Sequence, residues 1–227
     1  MAASTYAHLL VDSPSVEDSL LGQRESTQRS SSREFIPHHH QDSELLKQME
    51  FLPGFREFLM MRQVHALEHA TVWVLSELDA GLNAVRSRID NGSLSGLSTE
   101  SGFYLYGEVN TLRLRQAVNI ALERLIRGEW SLAVHPRCGT NISVNFALTA
   151  GMALGMHLLM PRGFLEQLLG LGIAAGLAAQ VTPEIGNLVQ QHVTTAIPFN
   201  LKVEGIQARK VGIRPSEHFV SVQWFDS

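Results

Sequence analysis

The feature that most constrains this chain is a stretch of forty residues, Ile142 to Val181, with almost no charge. Its only charged side chains are Arg162 and Glu166, although 18% of the whole chain is charged, which would place about seven in forty positions. The sequence PRG at residues 161–163 divides it into two halves, residues 142–160 and 163–181, of 19 residues each, with Gly163 counted in the second half. Each half is long enough, at about 1.5 Å per residue, to cross a hydrocarbon core of about 30 Å. The stretch predicts a two-helix transmembrane hairpin over residues 142–181, with the lipid bilayer as its partner.

Each half of the hairpin carries two glycines four residues apart. They are Gly151 and Gly155 in the first half, and Gly172 and Gly176 in the second. This GxxxG spacing lets helix backbones approach closely. It predicts tight packing within the hairpin, or contact with a second copy of the chain or another membrane protein. A buried core hairpin in a soluble fold is the alternative, because both spans are close to the short limit for a membrane.

The charges beside the hairpin predict its orientation. Basic residues in the flanks outnumber the single one in the turn, Arg162; those in the flanks are Arg137, Lys202, Arg209, Lys210 and Arg214. Basic flanks stay on the cytoplasmic side of a membrane. We therefore expect an integral membrane protein whose folded domain faces the cytoplasm. The single cysteine of the chain fits a reducing compartment.

The net charge of the whole chain is -4, with 18 Lys and Arg against 22 Asp and Glu, so no basic field exists that would attract nucleic acid.

The composition outside the hairpin sets the remaining domain boundaries. Residues 1–43 are rich in Ser and Gln and lack an apolar period, which predicts a disordered tail. Residues 44–141 are predicted to form a metal-site domain. Residues 182–227 supply an amphipathic segment and strands that complete this domain.

Two helices are predicted before the hairpin. The first runs from Phe55 to Leu78, between a Pro-Gly pair and an Asp-Ala-Gly sequence. It is apolar nearly all round, so we expect it to be buried against protein or to lie along a membrane surface. The second is amphipathic, is capped by Asn110 or Thr111, and ends at Gly128.

The predicted strands make the fold class α+β. Residues 102–109 (GFYLYGEV) and 132–134 form strands on either side of the second helix, which predicts a right-handed βαβ crossover. Two further segments, residues 199–203 and 219–224, are expected to extend the same sheet. The fold is thus a small βαβ-containing domain plus the transmembrane hairpin.

Metal-binding side chains occur in two clusters. The first helix contains His65, Glu68 and His69, and this spacing places both imidazoles and the carboxylate on one helix face. After residue 134, Pro and Gly bend the chain so that His135 and Cys138 can face one point. Each cluster is too small alone, so together they predict one metal site. Imidazole and thiolate ligands favour zinc, with iron or copper as alternatives.

Two resemblances bear on these clusters. The order His-x-x-Glu-His is similar to that of inverzincin peptidases, in which the histidines bind zinc and the glutamate activates water; their additional downstream carboxylate ligand has no counterpart here. The segments HALEHAT, GFYLYGEV, HPRCGTN and QQHVTT, over residues 60–225, resemble an uncharacterised family of bacterial, notably cyanobacterial, membrane proteins. A broader group of bacterial membrane proteins shares the H-x-x-E-H and HPRCGT elements. This resemblance implies the architecture and pairs the two clusters, but it implies no reaction.

Three functions remain open from the sequence. In a membrane-anchored hydrolase, His65, His69 and Cys138 bind zinc, water takes the fourth position and Glu68 is the general base. In an assembly or scaffold protein, His135 closes the site and Glu68 only orients a ligand. In a redox or metal sensor, the Cys138 thiolate is the reporter.

Overall fold

A computed structural model describes residues 40–80, 94–209 and 217–225, together with Pro37 and Gly92. In chain order it contains helices α1 (Gln41–Gln48) and α2 (Phe55–Ala80), strands β1 (Ser95–Thr99) and β2 (Gly102–Tyr106), helix α3 (Thr111–Ile126), a 3-10 helix (Trp130–Ala133), helices α4 (Gly139–Leu159) and α5 (Phe164–Val189), a π-helix (Gln190–Thr194), and strands β3 (Leu201–Arg209) and β4 (Glu217–Trp224). The predicted α+β class is confirmed. Of the predicted tail, residues 1–36, 38 and 39 lie outside the described residues, and α1 begins two residues before the tail's predicted end.

The four strands form one antiparallel sheet in the order β1-β2-β4-β3. The two C-terminal strands extend the sheet of β2 as predicted, because β4 pairs with β2 and β3 pairs with β4. The predicted βαβ crossover is wrong. Residues 132–134, predicted as its second strand, belong to the 3-10 helix and the extended residue after it. Leu132 and Ala133 are both buried, and neighbouring residues of a strand point to opposite faces. A strand here would have turned one of them away from the core.

Helix α2 runs through the centre of the domain. It packs against β1 and β2, against α3 and against the 3-10 helix, which is why it is apolar nearly all round. The core around it comes from every layer of the domain; it includes Leu67, Trp73, Phe103, Leu105, Leu114, Val118, Leu125, Val220 and Val222. Of the two environments predicted for this helix, the one observed is burial by protein.

Local signals hold α3 in register on α2. The Asn110 side chain accepts hydrogen bonds from the backbone N–H groups of Leu112 (2.8 Å) and Arg113 (3.4 Å), which confirms Asn110 as the helix cap. Beyond the helix, Gly128 adopts a φ of 105°, a conformation that favours glycine. The predicted limits of α3 are therefore those observed.

Helices α4 and α5 pack against each other as an antiparallel pair. Both are long and apolar enough to cross a membrane, α4 by itself and α5 together with the π-helix that follows it. No residue of α4 is buried. In α5 the buried residues recur every fourth position; they are Gly170, Ala174, Ala178, Thr182 and Gly186.

The predicted role of the GxxxG glycines within the hairpin is wrong. A Cβ added at Gly151, Gly155, Gly172 or Gly176 would meet no atom within 4 Å. The helix contact uses the stripe of small residues on α5 instead, because that stripe faces α4 while the GxxxG pairs lie on other faces. Contact of the GxxxG faces with a second copy or another membrane protein stays a prediction.

Candidate metal centre

Helix α2 presents the first half of the site. His65, Glu68 and His69 are three and four residues apart, and residues at these spacings share a helix face. The imidazole rings of His65 and His69 lie 4.4 Å apart, centroid to centroid. His69 and Glu68 are buried, whereas His65 is half-buried.

The second half of the site comes from the start of α4. Cys138 is the N-cap residue of this helix, and its Sγ accepts a hydrogen bond from the Thr140 backbone N–H at 3.4 Å. The turn before it directs the thiol towards α2. As a result, Sγ lies 3.2 Å from Nε2 of His65.

Three donor groups converge at this point. Among the residues that the structure describes, the ligand atoms of His65, His69 and Cys138 all lie within 4.8 Å of one another. A tetrahedral zinc ion, with Zn–S of about 2.3 Å and Zn–N of about 2.0 Å, places its ligand atoms roughly 3.5 Å apart. The trio thus fits zinc after small side-chain adjustments, and its nitrogen and sulfur donors suit that metal.

Backbone carbonyls orient both imidazoles of the trio. Nδ1 of His65 lies 3.0 Å from the Thr194 carbonyl oxygen, and Nδ1 of His69 lies 2.7 Å from that of Ala133. A carbonyl oxygen can only accept, so each Nδ1 carries the proton and donates it. In the neutral ring this leaves the Nε2 lone pair for a metal. Metal-binding histidines are normally held by such a hydrogen bond on the other ring nitrogen.

Burial sets the protonation of two residues of the trio, His69 and Cys138. Burial, and then the neighbouring His65, lower the pKa of His69 to about 3, so its imidazole is neutral near pH 7. Burial raises the pKa of the Cys138 thiol, although hydrogen bonds from Thr140 act in the opposite direction. Without a cation the thiol therefore keeps its proton, and binding of a metal would release it.

The Glu68 carboxylate lies beside the trio and is covered by strand β1. It accepts a hydrogen bond from the Ser98 hydroxyl. Burial raises its pKa, and the Ser98 hydroxyl and His65 partly offset this rise. Gly96 lies so close that an added Cβ would be 2.0 Å from Oε1 of Glu68. Only a glycine allows the strand to approach the carboxylate this closely.

His135, the fourth predicted ligand, lies next to the trio and is not one of the three converging donors. Its ring is 5.6 Å from that of His69 and 4.8 Å from that of Trp73. Its Nδ1 accepts a hydrogen bond from the Arg137 backbone N–H at 3.3 Å, and the backbone N–H of His135 donates to Oε1 of Gln190 at 2.9 Å. In the described arrangement His135 shapes the loop that carries Cys138.

A cavity of about 360 Å³ adjoins these groups. Its lining includes the trio, Glu68 and residues 94–98, which are Leu94 and the first four residues of β1. Met61 and Val72 of α2 add apolar surface. The trio thus faces a space large enough for part of a substrate.

Several contributing residues were not found from the sequence. Ser98 and Gly96 contact Glu68, and the carbonyls of Ala133 and Thr194 orient the imidazoles. Gln190 is fully buried and also donates to Oδ1 of Asn141, at 2.9 Å. The QQHVTT segment contains two of these residues and was the available signal for them. A backbone carbonyl leaves no signature in a sequence.

Comparison with known proteins places this architecture in a family. Residues 60–206 match the model of a domain of unknown function, DUF6391. The chain belongs to the DUF6391 family. An uncharacterised protein of Picosynechococcus sp. (strain PCC 7002) is 50% identical over 193 residues, which cover 85% of this chain and 94% of that protein. No solved structure matches the chain. The DUF6391 match contains all three converging donors, Glu68 and the apolar hairpin.

Proposed function

We propose that this DUF6391 protein is a zinc-dependent hydrolase anchored in a membrane by the α4–α5 hairpin. The observation that carries the proposal is the donor count. His65, His69 and Cys138 converge as three donor groups, with Glu68 and a cavity beside them. Catalytic zinc sites take three protein ligands and keep the fourth position for water or substrate, whereas structural sites use four.

The residues around the trio have the properties that hydrolysis requires. Zinc bound there would polarise a substrate carbonyl and make a water molecule more acidic. Glu68 is the proposed general base. Burial raises its pKa above the ordinary carboxyl value, and a carboxylate with a raised pKa is a stronger base. The Ser98 hydroxyl holds the carboxylate in one orientation.

The proposed reaction balances with water as the only co-reactant. Glu68 takes one proton from the water as its oxygen bonds to the substrate's carbonyl carbon. The bond from that carbon to the leaving oxygen or nitrogen then breaks. The leaving group takes the proton from Glu68, which returns the carboxylate to its starting state.

The proposed location is based on exposure and charge. The outer faces of α4 and α5 carry large apolar side chains exposed to the surroundings, among them Ile142, Phe146, Leu154, Leu158, Leu168 and Leu177. Such a surface is costly in water, where roughly 25 cal/mol is lost per Å² of apolar area. The basic flanks favour a domain on the cytoplasmic side. Iron or copper in place of zinc is the alternative metal.

A structural zinc site is the second candidate. His135 favours it, because this residue is only 6% exposed and its ring lies 5.6 Å from that of His69. A rotation of the side chain would let it fill the fourth position and close the site. Glu68 would then orient a ligand, and the protein would serve in membrane assembly.

The Glu68→Gln variant distinguishes the two candidates. Glutamine keeps the shape and hydrogen bonding of the side chain and removes its basicity. For a hydrolase we expect full zinc content, a normal fold and loss of cellular function, since a general base contributes about 10²-fold or more in rate. Glu57→Gln, an exposed position of the same helix, is the matched control. A Glu68→Gln strain that behaves as wild type, while a His65→Ala strain is defective, would contradict catalysis and leave a structural site.

A further inference from the structure

Strand β1 runs along the cavity that adjoins the metal trio. Five successive residues, 94–98, line this cavity. At about 3.3 Å per residue they follow it for roughly 16 Å. Any molecule that reaches the trio through the cavity therefore lies beside this strand.

β1 is the end strand of the described sheet. One of its edges pairs with β2, and no described strand pairs with the other. An end strand presents backbone N–H and C=O groups that can pair with a further chain. At the start of β1, Arg137 donates hydrogen bonds to the carbonyls of Gly92 (3.2 Å) and Leu94 (3.4 Å). This side chain ties the strand to the loop that carries Cys138.

The side chains of β1 leave its backbone accessible. Ser95, Gly96 and Ser98 are small, and residues 95–97 are exposed. Gly96 and Ser98 face Glu68. The strand thus offers hydrogen-bonding groups directly beside the proposed general base.

From this placement we propose that β1 is the substrate-binding strand, and that the substrate is an extended polypeptide segment that pairs with it. The inference rests on the proposed hydrolase function and names its substrate class. The scissile amide carbonyl then lies at the open position of the trio. Water's oxygen bonds to the carbonyl carbon, the C–N bond breaks, and the amine leaves with the proton that Glu68 took from water.

A polypeptide fits this cavity better than a lipid ester or a small metabolite. Only an extended peptide carries alternating N–H and C=O groups at the spacing of a strand, and such pairing is a common mode of peptide recognition. Met61, Val72 and Leu97 add apolar surface for its side chains. Cys138 lies four residues before the predicted membrane span, so the segment would be cut close to the membrane surface.

Binding of three hydroxamates to the full-length, zinc-loaded protein in detergent micelles tests this inference. Acetohydroxamate reports on the open metal position alone. The peptide acetyl-Leu-Ala-Leu-hydroxamate adds a short strand, and its analogue with methylated backbone nitrogens keeps the side chains but loses the N–H donors. We expect the peptide to bind at least about tenfold more tightly than acetohydroxamate, as one to two net hydrogen bonds would provide, and methylation to remove most of this gain.

The outcomes separate the two proposals. Equal affinity of the peptide and its methylated analogue, with acetohydroxamate still bound, would overturn strand pairing and leave the hydrolase standing. No binding of any hydroxamate would contradict the open metal position and, with it, the substrate. A variant gives independent evidence: Leu97→Ala should weaken the peptide but not acetohydroxamate, whereas Leu112→Ala, an exposed position on α3, should change neither. An unchanged peptide affinity in Leu97→Ala would count against the placement of the peptide along β1.

Discussion

Helix α2 and the α4–α5 hairpin are both largely apolar, but their surroundings are opposite. All three helices are apolar nearly all round. From Val64 to Ser76 almost every residue of α2 is buried by the sheet, α3 and the 3-10 helix, whereas α4 has no buried residue. Apolar composition thus indicates that a helix is covered but not what covers it. For α2 the cover is protein, and for the hairpin we propose that it is lipid.

The polar side chains of the two regions reinforce this difference. In α2 they are bonded inside the domain; for example, Gln63 donates to Oδ2 of Asp42 at 2.6 Å. In the hairpin they pair across the two helices near its ends. Asn145 donates to the Thr182 hydroxyl at 3.0 Å, and His157 lies 2.7 Å from Oε1 of Gln167 near the turn. Such pairs leave the outer faces of the hairpin apolar.

The largest expected effect is one of location, and it is all or none. The protein should stay in the membrane fraction after extraction with alkaline carbonate. In an Arg162→Cys variant, an impermeant maleimide should label the turn only from the side opposite the cytoplasm, with the wild-type protein and its buried Cys138 as the control. Release by carbonate, or labelling of the turn from the cytoplasmic face only, would contradict a hairpin that spans the membrane.

Removing one leucine from each region should have unequal effects on stability. Leu67 of α2 is fully buried, whereas Leu158 of α4 is 77% exposed. We expect Leu67→Ala to lower the free energy of unfolding by about 2–5 kcal/mol, and Leu158→Ala to change it by less than about 0.5 kcal/mol. Denaturation in micelles, followed by tryptophan fluorescence, measures both. Similar losses at the two sites would mean that α4 has a protein partner.

Alanine substitutions of one glycine in the domain and one in the hairpin should also differ in their effects. An added Cβ at Gly96 would be 2.0 Å from Oε1 of Glu68, whereas at Gly172 it would meet nothing within 4 Å. Gly96→Ala should displace the carboxylate, at a cost of about 1–3 kcal/mol, and abolish cellular function while zinc is retained. Gly172→Ala should be neutral or slightly stabilising, because alanine favours a helix. Thermal midpoints and complementation assays compare the two, and a functional Gly96→Ala variant would show that Glu68 can move freely.

The smallest effect concerns the pH dependence of the domain. Burial lowers the pKa of His218, on β4, below its usual range. An imidazole whose pKa is lowered in the folded state stabilises the protein fully above the unfolded value of about 6.5, and this contribution is lost as the pH falls below it. His218→Gln should therefore weaken the decline of the thermal midpoint between pH 7.5 and 5.5. The exposed His40→Gln is the control, and an equal decline in both variants would assign the acid sensitivity elsewhere.

The sequence predicted those parts of the fold that depend on local signals. The limits of α2, the Asn110 cap and the two C-terminal strands follow from periodicity and punctuation, and the structure contains them. The prediction of a βαβ crossover was wrong because the segment of residues 132–134 is too short for its periodicity to distinguish a strand from a 3-10 helix. The prediction that the GxxxG glycines pack within the hairpin was wrong because spacing does not reveal which face of a helix meets its neighbour.

For the candidate site, the spacing on α2 was sufficient to place His65, Glu68 and His69 together. The sequence also indicated Cys138, because the adjacent Pro and Gly bend the chain. Ser98 could not be found in this way, since its contact with Glu68 depends on how β1 lies across α2. The position of His135 beside the trio likewise depends on tertiary contacts, here with Trp73 and Gln190.

The zinc content of purified single variants tests the three-ligand site most directly. The account predicts about one zinc per chain in the wild type, loss in His65→Ala, His69→Ala and Cys138→Ser, and full retention in His135→Ala. Elemental analysis after gentle purification gives the ratio of metal to protein for each. Near-zero zinc in the wild type, full occupancy in a His65→Ala, Cys138→Ser double variant, or loss of zinc in His135→Ala would contradict it.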